Sequence, residues 1–544
     1  MPAIVDIETN GLKDTATNIH CIVAKCPKTN TIKEWIGEDC KSFGEWSKGI
    51  DTFIMHNGLS FDAPLLNKFT GSDIKPNQIR DTLLESQLFN PLREEGHGLA
   101  AWGKKLNFAK HDIDSFDTYT PEMLDYCRQD VNLTHKVMEV LDKEKSKFSI
   151  NSIDLEKAIR ILVDEQEENG FTLDLPKATT LMASLEDEAD KLSREATDMF
   201  PPTEIQLKTK VKYIPFNIGS RKQIAERLME KGWEPELKTD KGNIIVNEEV
   251  LKNINMPEAK MFSRYLLLQK RVSQIKSWIE LCGDDNKVHG RVMTLKTITG
   301  RMAHNSPNMA QVPAMYSPYG KECRECWTVS DTKNYTLVGT DASGLELRCL
   351  AHYMNDANFT NELLNGDIHT ANMNMAGLTD RDQAKTFIYA FLYGAGAAKI
   401  GKVVGGNAKK GQTLINRFLS NIPALKTLRN KVQDAAQTGV IRGLDGRLFR
   451  IRSPHSALNT LIQGAGAIVC KQWLINMTSM IRSTGVDAKL VASIHDEYQF
   501  EVKNSDVIQF GQITKDAIKE TEKDLKLNCQ LDSEWKSGLT WAET

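Results

Sequence analysis

The sequence predicts a multidomain protein of mixed class, with an α/β domain at the N-terminus and a larger α+β region after it. Three observations carry this expectation. The chain has 544 residues, too many for one compact core. A strand-like run opens the chain, and two apolar runs that each end in an acid lie after Gly290. A long, highly charged stretch with helical character separates them.

Ile4 to Ile7 reads as a strand that begins almost at Met1. Phe53-Ile54-Met55 reads as another, followed by the turn signal Asn57-Gly58. Helical periodicity runs from Met123 to Val140, so the first 145 residues form a self-contained α/β domain. From Ile153 to about Lys276 the chain is mostly helical and charged, with a break at Pro201-Pro202. Lys208, Lys210 and Lys212 alternate there, which puts all three on one face of an extended segment. A second basic segment runs from Arg264 through Lys270 and Arg271 to Lys276. Either segment is a solvated face or a phosphate contact, depending on what surrounds it. After Gly290 come the runs Thr336–Asp341 and Leu490–Asp496, with a helical region rich in Ala, Lys, Tyr and Gly between them.

Composition narrows the classes. Hydrophobic content of 40% and charged content of 26% are those of an ordinary globular protein. A net charge of −3 speaks weakly against a nucleic-acid binder, because carboxylate clusters that hold metals offset basic stripes elsewhere. Ten cysteines follow no framework spacing, as in a reduced cytosolic protein. Cys323-x-x-Cys326 has no second pair and predicts no zinc site. No signal peptide is expected. No run approaches the ~20 apolar residues of a membrane helix, so a cytoplasmic protein without membrane association is expected.

Two sets of residues point to chemistry. Asp6 and Glu8 are two apart on a predicted strand, hence on one face. Carboxylates side by side repel unless a cation sits between them, and hard oxygen ligands suit Mg²⁺ or Mn²⁺. Asp62 follows in Asn57-Gly58-Leu59-Ser60-Phe61-Asp62, and Tyr126 and Asp130 share a helix face. Any one of these acids alone reads as a surface carboxylate, and a bare D-x-E is common. The ordered set suits a two-metal phosphodiesterase in which Tyr126 orients the attacking water.

The second set is Asp341 and Asp496, each ending a strand-like run, with a helix between them in sequence. Alone, either is a turn aspartate. The helix carries Arg381, Lys385, Tyr389 and Tyr393 at four-residue intervals, a stripe of two cations and two aromatics. Such a stripe is either a basic surface with aromatics tucked into core, or a clamp whose cations take a triphosphate and whose rings stack on base and sugar. Two Mg²⁺ at Asp341 and Asp496 suit phosphoryl transfer to a primer 3′-OH, with Lys385 as general acid to the departing pyrophosphate.

These residues carry a family resemblance. Asp341-Ala342-Ser343-Gly344-Leu345-Glu346-Leu347-Arg348 resembles motif A of family A (Pol I-type) DNA polymerases. Arg381-x-x-x-Lys385-x-x-x-Tyr389-x-x-x-Tyr393-Gly394 resembles motif B, and His495-Asp496-Glu497 motif C. Thr297-x-Thr299-Gly300-Arg301 and Asn308-x-x-Gln311-x-Pro313 resemble the start of the family's palm, and the N-terminal set is similar to the DEDDy proofreading exonuclease. Gly366-Asp367-Ile368-His369-Thr370, Arg452-Ser453-Pro454-His455 and Phe216-Asn217-x-Gly219-Ser220-Arg221 followed by Thr239-Asp240-Lys241-Gly242 look like the replicative enzymes of short-tailed (podovirus) phages.

The resemblance implies an RNase H-like 3′→5′ exonuclease domain over 1–145, followed by a right-hand polymerase domain. Its thumb (with the start of the palm) would span 146–290, the palm 291–355 and 446–544, and the fingers 356–445. It implies that Glu346 closes off the 2′ position of the incoming sugar and that His369, Arg381 and Lys385 bind its phosphates. Tyr389 would pack on its sugar and base, and Tyr393 near the templating base. Arg301, Gln311, Gln463 and His495 would contact primer–template DNA, with Arg301 and Gln463 reading minor-groove acceptors that are nearly the same for every pair. Implied partners are dNTPs, two Mg²⁺ per site (Mn²⁺ substituting), and a phage helicase-primase and single-strand binding protein. A monomer is expected, without a 5′-nuclease domain and without thioredoxin as clamp. Three other readings are a single-subunit RNA polymerase, a catalytically dead DNA-binding subunit, and a stand-alone exonuclease with a helical DNA-binding tail.

Overall fold

A computed structural model describes residues 1–108, 113–206, 210–239 and 241–544. The chain divides into two compact units. One is formed by Met1–Asn169, Val292–Ala303 and Val338–Lys536, the other by Gly170–Arg291, His304–Leu337 and Ser537–Thr544.

In the first unit, strands β1 (Pro2–Thr9), β2 (Ile19–Lys25), β3 (Ile32–Ile36), β4 (Thr52–Met55) and β5 (Ile79–Asp81) form a sheet in the order β3-β2-β1-β4-β5. β1, β2 and β3 pair antiparallel, while β4 and β5 run parallel to β1. The near-continuous burial of β2 reflects a strand covered on both faces. Helix Pro121–Lys145 covers one face through Met123, Leu124, Cys127 and Val131. It starts where Pro121 no longer needs a backbone donor and the Thr120 side chain accepts from Met123 N.

A four-stranded sheet, most of whose residues belong to this unit, has the order Ala488–Ile494, Glu497–Lys503, Tyr335–Ala342, Ser533–Gly538. Its first two strands form an antiparallel hairpin in which Ile494 faces Glu497, leaving a two-residue turn of His495 and Asp496. Between Leu345 and Ala436 the chain is helical, and helix Arg381–Leu392 is fixed by Phe387 and Phe391 against Phe418. The 28-residue helix Ala457–Thr484 buries most of its circumference. Gly464 lets the Phe449 ring lie against it, since a Cβ there would come within 2.3 Å of that ring.

The second unit packs helices Leu175–Met199 and Pro257–Leu281 together and adds a three-stranded sheet of Trp327–Thr328, Phe171–Leu173 and Lys287–Val288. The basic segment expected there does not form one free face. Arg264 is spent on Glu188 at 2.7 Å and on the Tyr319 hydroxyl, and Arg271 is buried, donating to Gln274 at 2.9 Å. The 3.6-residue period turns Arg271 inward, so only Lys270 and Lys276 stay exposed. Lys212 is exposed in the hairpin strand Val211–Ile214, while Lys208 and Asp240 lie outside the described residues. Cys323 and Cys326 are buried free thiols. Among the described residues, no helix is long and apolar enough to cross a membrane.

Candidate active sites

The first site is built on β1. Asp6, Glu8 and Cys127 bring one ligand atom each within 4.8 Å of one another. Asp62 opens helix Asp62–Thr70, and Asp130 lies one helical turn after Tyr126 in Pro121–Lys145. Burial, and then the charges of Asp130, Glu8 and Asp62, push the Asp6 carboxyl well up. Burial and the neighbouring Asp81 do the same to Asp62. Carboxylates whose charges raise the proton affinity of Asp6 and Asp62 are arranged for a divalent cation, which removes the repulsion. Asp6, Glu8, Asp62 and Asp130 of the first sequence set thus meet at one place, and Tyr126, one turn before Asp130, is half-buried and edge-on to Phe116 at 6.1 Å.

Two members of this site had no signal in the sequence. Cys127 donates its S–H to the Asp6 carboxylate at 3.4 Å and to the Asp6 carbonyl at 3.3 Å. Asp81, at the end of β5, accepts from Asn57 N, Leu59 N, Leu83 N and Leu84 N. It caps one helix and pins the Asn57–Leu59 turn, where Asn57 has φ +70°, and so sets the approach to Asp62.

The second site lies at the edge of the four-stranded sheet. His495, at φ +57°, and Asp496 make the tight turn, and Ala342 N donates to Asp496 O at 3.2 Å. That bond brings Asp341 and Asp496 side by side. Partial burial, then the charges of Asp496, Glu497, Glu534 and Glu346, push Asp341 up to about 7, although the residue remains open to solvent. Asp496 is raised too, by burial and then by Glu346. Glu534 reaches the site on a strand that follows Asp341 by almost the whole domain, so no local spacing announces it.

Glu346 sits in the first turn of helix Leu345–Met354, where its charge suits the helix dipole. Its Oε1 accepts from Arg301 Nη2 at 2.9 Å and from the Tyr393 hydroxyl at 3.2 Å. Arg301 therefore has an internal partner here. Along helix Arg381–Leu392 the stripe exists as read. Arg381 and Lys385 are exposed, Tyr389 is half-buried, and Tyr393 caps the end, its ring 6.3 Å from that of Tyr389. His369 stands 6.3 Å from Tyr389. Burial and the cations Arg381 and Lys385 lower its pKa, and its Nδ1 is buried without a partner. Arg381 is held by Asp367 through bonds of 2.8 and 3.1 Å, and Asp367 also caps helix Ile368–Ala376. Asp367 was quoted in a motif without a role.

Gln463 and Arg301 line a groove of about 1030 Å³ with Arg452, Asn459, Lys296, Arg93, Asn57 and others, all within the first unit. Gln311 belongs to the second unit, where its carbonyl accepts from Gln274 at 2.9 Å.

Residues 186–543 match the family described as DNA polymerase family A. The chain belongs to DNA polymerase family A. It is 30% identical to the DNA-directed DNA polymerase of Escherichia phage T7 over 702 aligned positions that cover 99% of each chain. Identity to the DNA-directed DNA polymerase of Enterobacteria phage T3 is also 30%, over 703 positions and again 99% of each chain. The fold matches the POL domain of Pol1 from M. smegmatis, solved in complex with DNA primer-template and dNTP, with a TM-score of 0.82 over 99% of this chain and 95% of that one. At 17% identity, that likeness speaks for the fold. The family match begins inside helix Leu175–Met199, so the second carboxylate site lies within it and the first lies before it.

Proposed function

We propose that this family A chain extends a DNA primer on a template from dNTPs, and that its N-terminal domain removes nucleotides from the 3′ end as a proofreading exonuclease. The observation that carries the reading is the presence of two separate clusters of mutually repelling carboxylates, one in each catalytic neighbourhood. The β3-β2-β1-β4-β5 sheet order and the Asp6, Glu8, Asp62, Tyr126, Asp130 set support an RNase H-like nuclease. The palm is assigned to the sheet with Asp341 and Asp496, the fingers to the helices from about 356 to 445, and the thumb to 146–290.

Asp341 and Asp496 would hold the Mg²⁺ or Mn²⁺ ions of the polymerase centre, and Asp6, Glu8, Asp62 and Asp130 those of the nuclease centre. Bound there, such ions neutralise phosphate charge and acidify the attacking hydroxyl or water. The protein's own groups do the rest. Arg381, Lys385 and His369 bind the triphosphate. Lys385, exposed on the stripe, carries a proton to the departing pyrophosphate. Tyr389 packs on the sugar and base, Tyr393 lies near the templating base, and Glu346 blocks a 2′-hydroxyl. Arg301, Gln311, Gln463 and His495 contact the duplex. Tyr126 orients the water of the nuclease step. The partners are primer–template DNA and dNTPs, with a phage helicase-primase and single-strand binding protein at the fork, a monomeric enzyme, host cytoplasm, and no thioredoxin clamp.

The test is incorporation with one labelled primer and either dNTPs or rNTPs, with Mg²⁺ and with EDTA. Metal-dependent extension from dNTPs is expected. Extension from rNTPs at equal efficiency would instead support an RNA polymerase, and none under any condition would end the polymerase reading.

A further inference from the structure

Behind the Asp341–Asp496 cleft lie four charged side chains that the proposed chemistry does not use. Glu156 in helix Ile150–Asn169, Lys471 in helix Ala457–Thr484, and Asp445 and Arg447 in the loop between strands Val440–Arg442 and Leu448–Arg450 are all buried. Lys471 Nζ donates to both Glu156 oxygens, at 2.7 and 2.9 Å, and to the Thr294 carbonyl at 2.8 Å. Arg447 donates to Glu156 at 2.7 Å and to Asp445 at 2.7 and 2.9 Å. Two acids and two bases cancel. An apolar cluster of the same volume is often as stable as such a network, so its presence asks what arrangement it specifies.

The network holds one end of a segment and lies close to the other. Lys471 holds Thr294 by its carbonyl. At the other end Gly300 has φ +71°, and a Cβ there would come within 3.0 Å of Arg447 Nη1, so the guanidinium lies directly against the backbone. The next residue is Arg301, whose Nη2 meets Glu346 at 2.9 Å. Arg301, Cys470, Lys471, His495 and Asp496 also line one small pocket. A shift of the segment moves the backbone that carries Arg301, and with it the Arg301–Glu346 pair.

We infer that Lys471, Arg447 and Glu156 are positioning residues that hold Thr294–Arg301 in register, so that Arg301 keeps Glu346 set for discrimination of the incoming sugar. The inference rests on the proposed nucleotide-selecting role of Glu346.

The test is a double-mutant cycle of Lys471→Met and Arg301→Ala, read as the ratio of kcat/KM for dNTP over rNTP, with the crystal structure of Lys471→Met alongside. Lys471→Met removes the donor to Thr294 and leaves Glu156 with Arg447. The ratio is expected to fall about tenfold, since small misplacement of a selecting group is costly, and the Arg301–Glu346 pair to open. In the Arg301→Ala background the same change is expected to move the ratio less than about twofold, because the two residues act through one path. Lys471→Arg, which keeps a cationic donor, is expected to recover most of the ratio. A lower unfolding temperature with an unchanged ratio, or an equal loss in both backgrounds, overturns the inference. Should the wild type incorporate no nucleotide at all, the polymerase reading fails. The structure then decides alone, and an Arg301–Glu346 pair intact in Lys471→Met overturns the positioning claim.

Discussion

Asp341 and Asp496 occupy adjacent positions that repel each other, and the proton affinity of Asp341 records it. A folded protein holds a proton there from the ordinary aspartate range up to about 7, whereas an unfolded chain releases it. More protons bound in the folded state means that stability is lost as pH rises through that window. In the proposed metal centre Mg²⁺ would bind the deprotonated carboxylates and restore it. The rise in melting temperature on adding Mg²⁺ is therefore expected to be larger at pH 8 than at pH 6, and smaller in Asp341→Asn. An equal Mg²⁺ effect at both pH values would contradict this. Tyr389 gives a second prediction at this scale. In the proposed nucleotide pose its hydroxyl replaces the missing 3′-OH of a dideoxynucleotide. Tyr389→Phe then loses one hydrogen bond, worth about 1.5 kcal/mol or about tenfold in dideoxynucleotide use relative to dNTP. Unchanged terminator use in Tyr389→Phe would sink the idea.

At the level of elements, legibility followed locality. Strands ending in acids, the helix from Met123 and the four-residue stripe were readable because each pattern lies within one element. Asp81, Glu534 and Asp367 were not, since each acts across elements that only the fold brings together. The Arg264–Lys276 segment was read as one basic face or another from charge alone, but a helix distributes charges around its axis and Arg271 went inside. The long helix Ala457–Thr484 carries both Gln463 and Lys471, and its seating depends on Gly464. Gly464→Ala gains up to about 1 kcal/mol of helix propensity. It also drives a methyl group into the Phe449 ring, and overpacking costs about 1–3 kcal/mol. A lower urea midpoint is expected, and an equal or higher midpoint would show that the ring moves aside freely.

For the whole molecule, the family was legible because several separated motifs agreed in order, and the full-length likeness to phage DNA polymerases bears that out. Within the first unit, the groove of about 1030 Å³ is lined both by Asn57, from the first sequence set's neighbourhood, and by Arg301 and Gln463, expected to contact primer–template DNA. On the proposed function, one chain carries two chemically independent metal-dependent centres. The measurement that tests it most directly follows a labelled primer on a template with Mg²⁺, with and without dNTPs, for the wild type, Asp496→Asn and Asp62→Asn. The account predicts that Asp496→Asn loses extension by roughly a thousandfold or more and still shortens the primer without dNTPs. It predicts that Asp62→Asn extends the primer and no longer shortens it. If either substitution abolished both activities in a folded protein, or neither affected either one, the two-centre account would be contradicted.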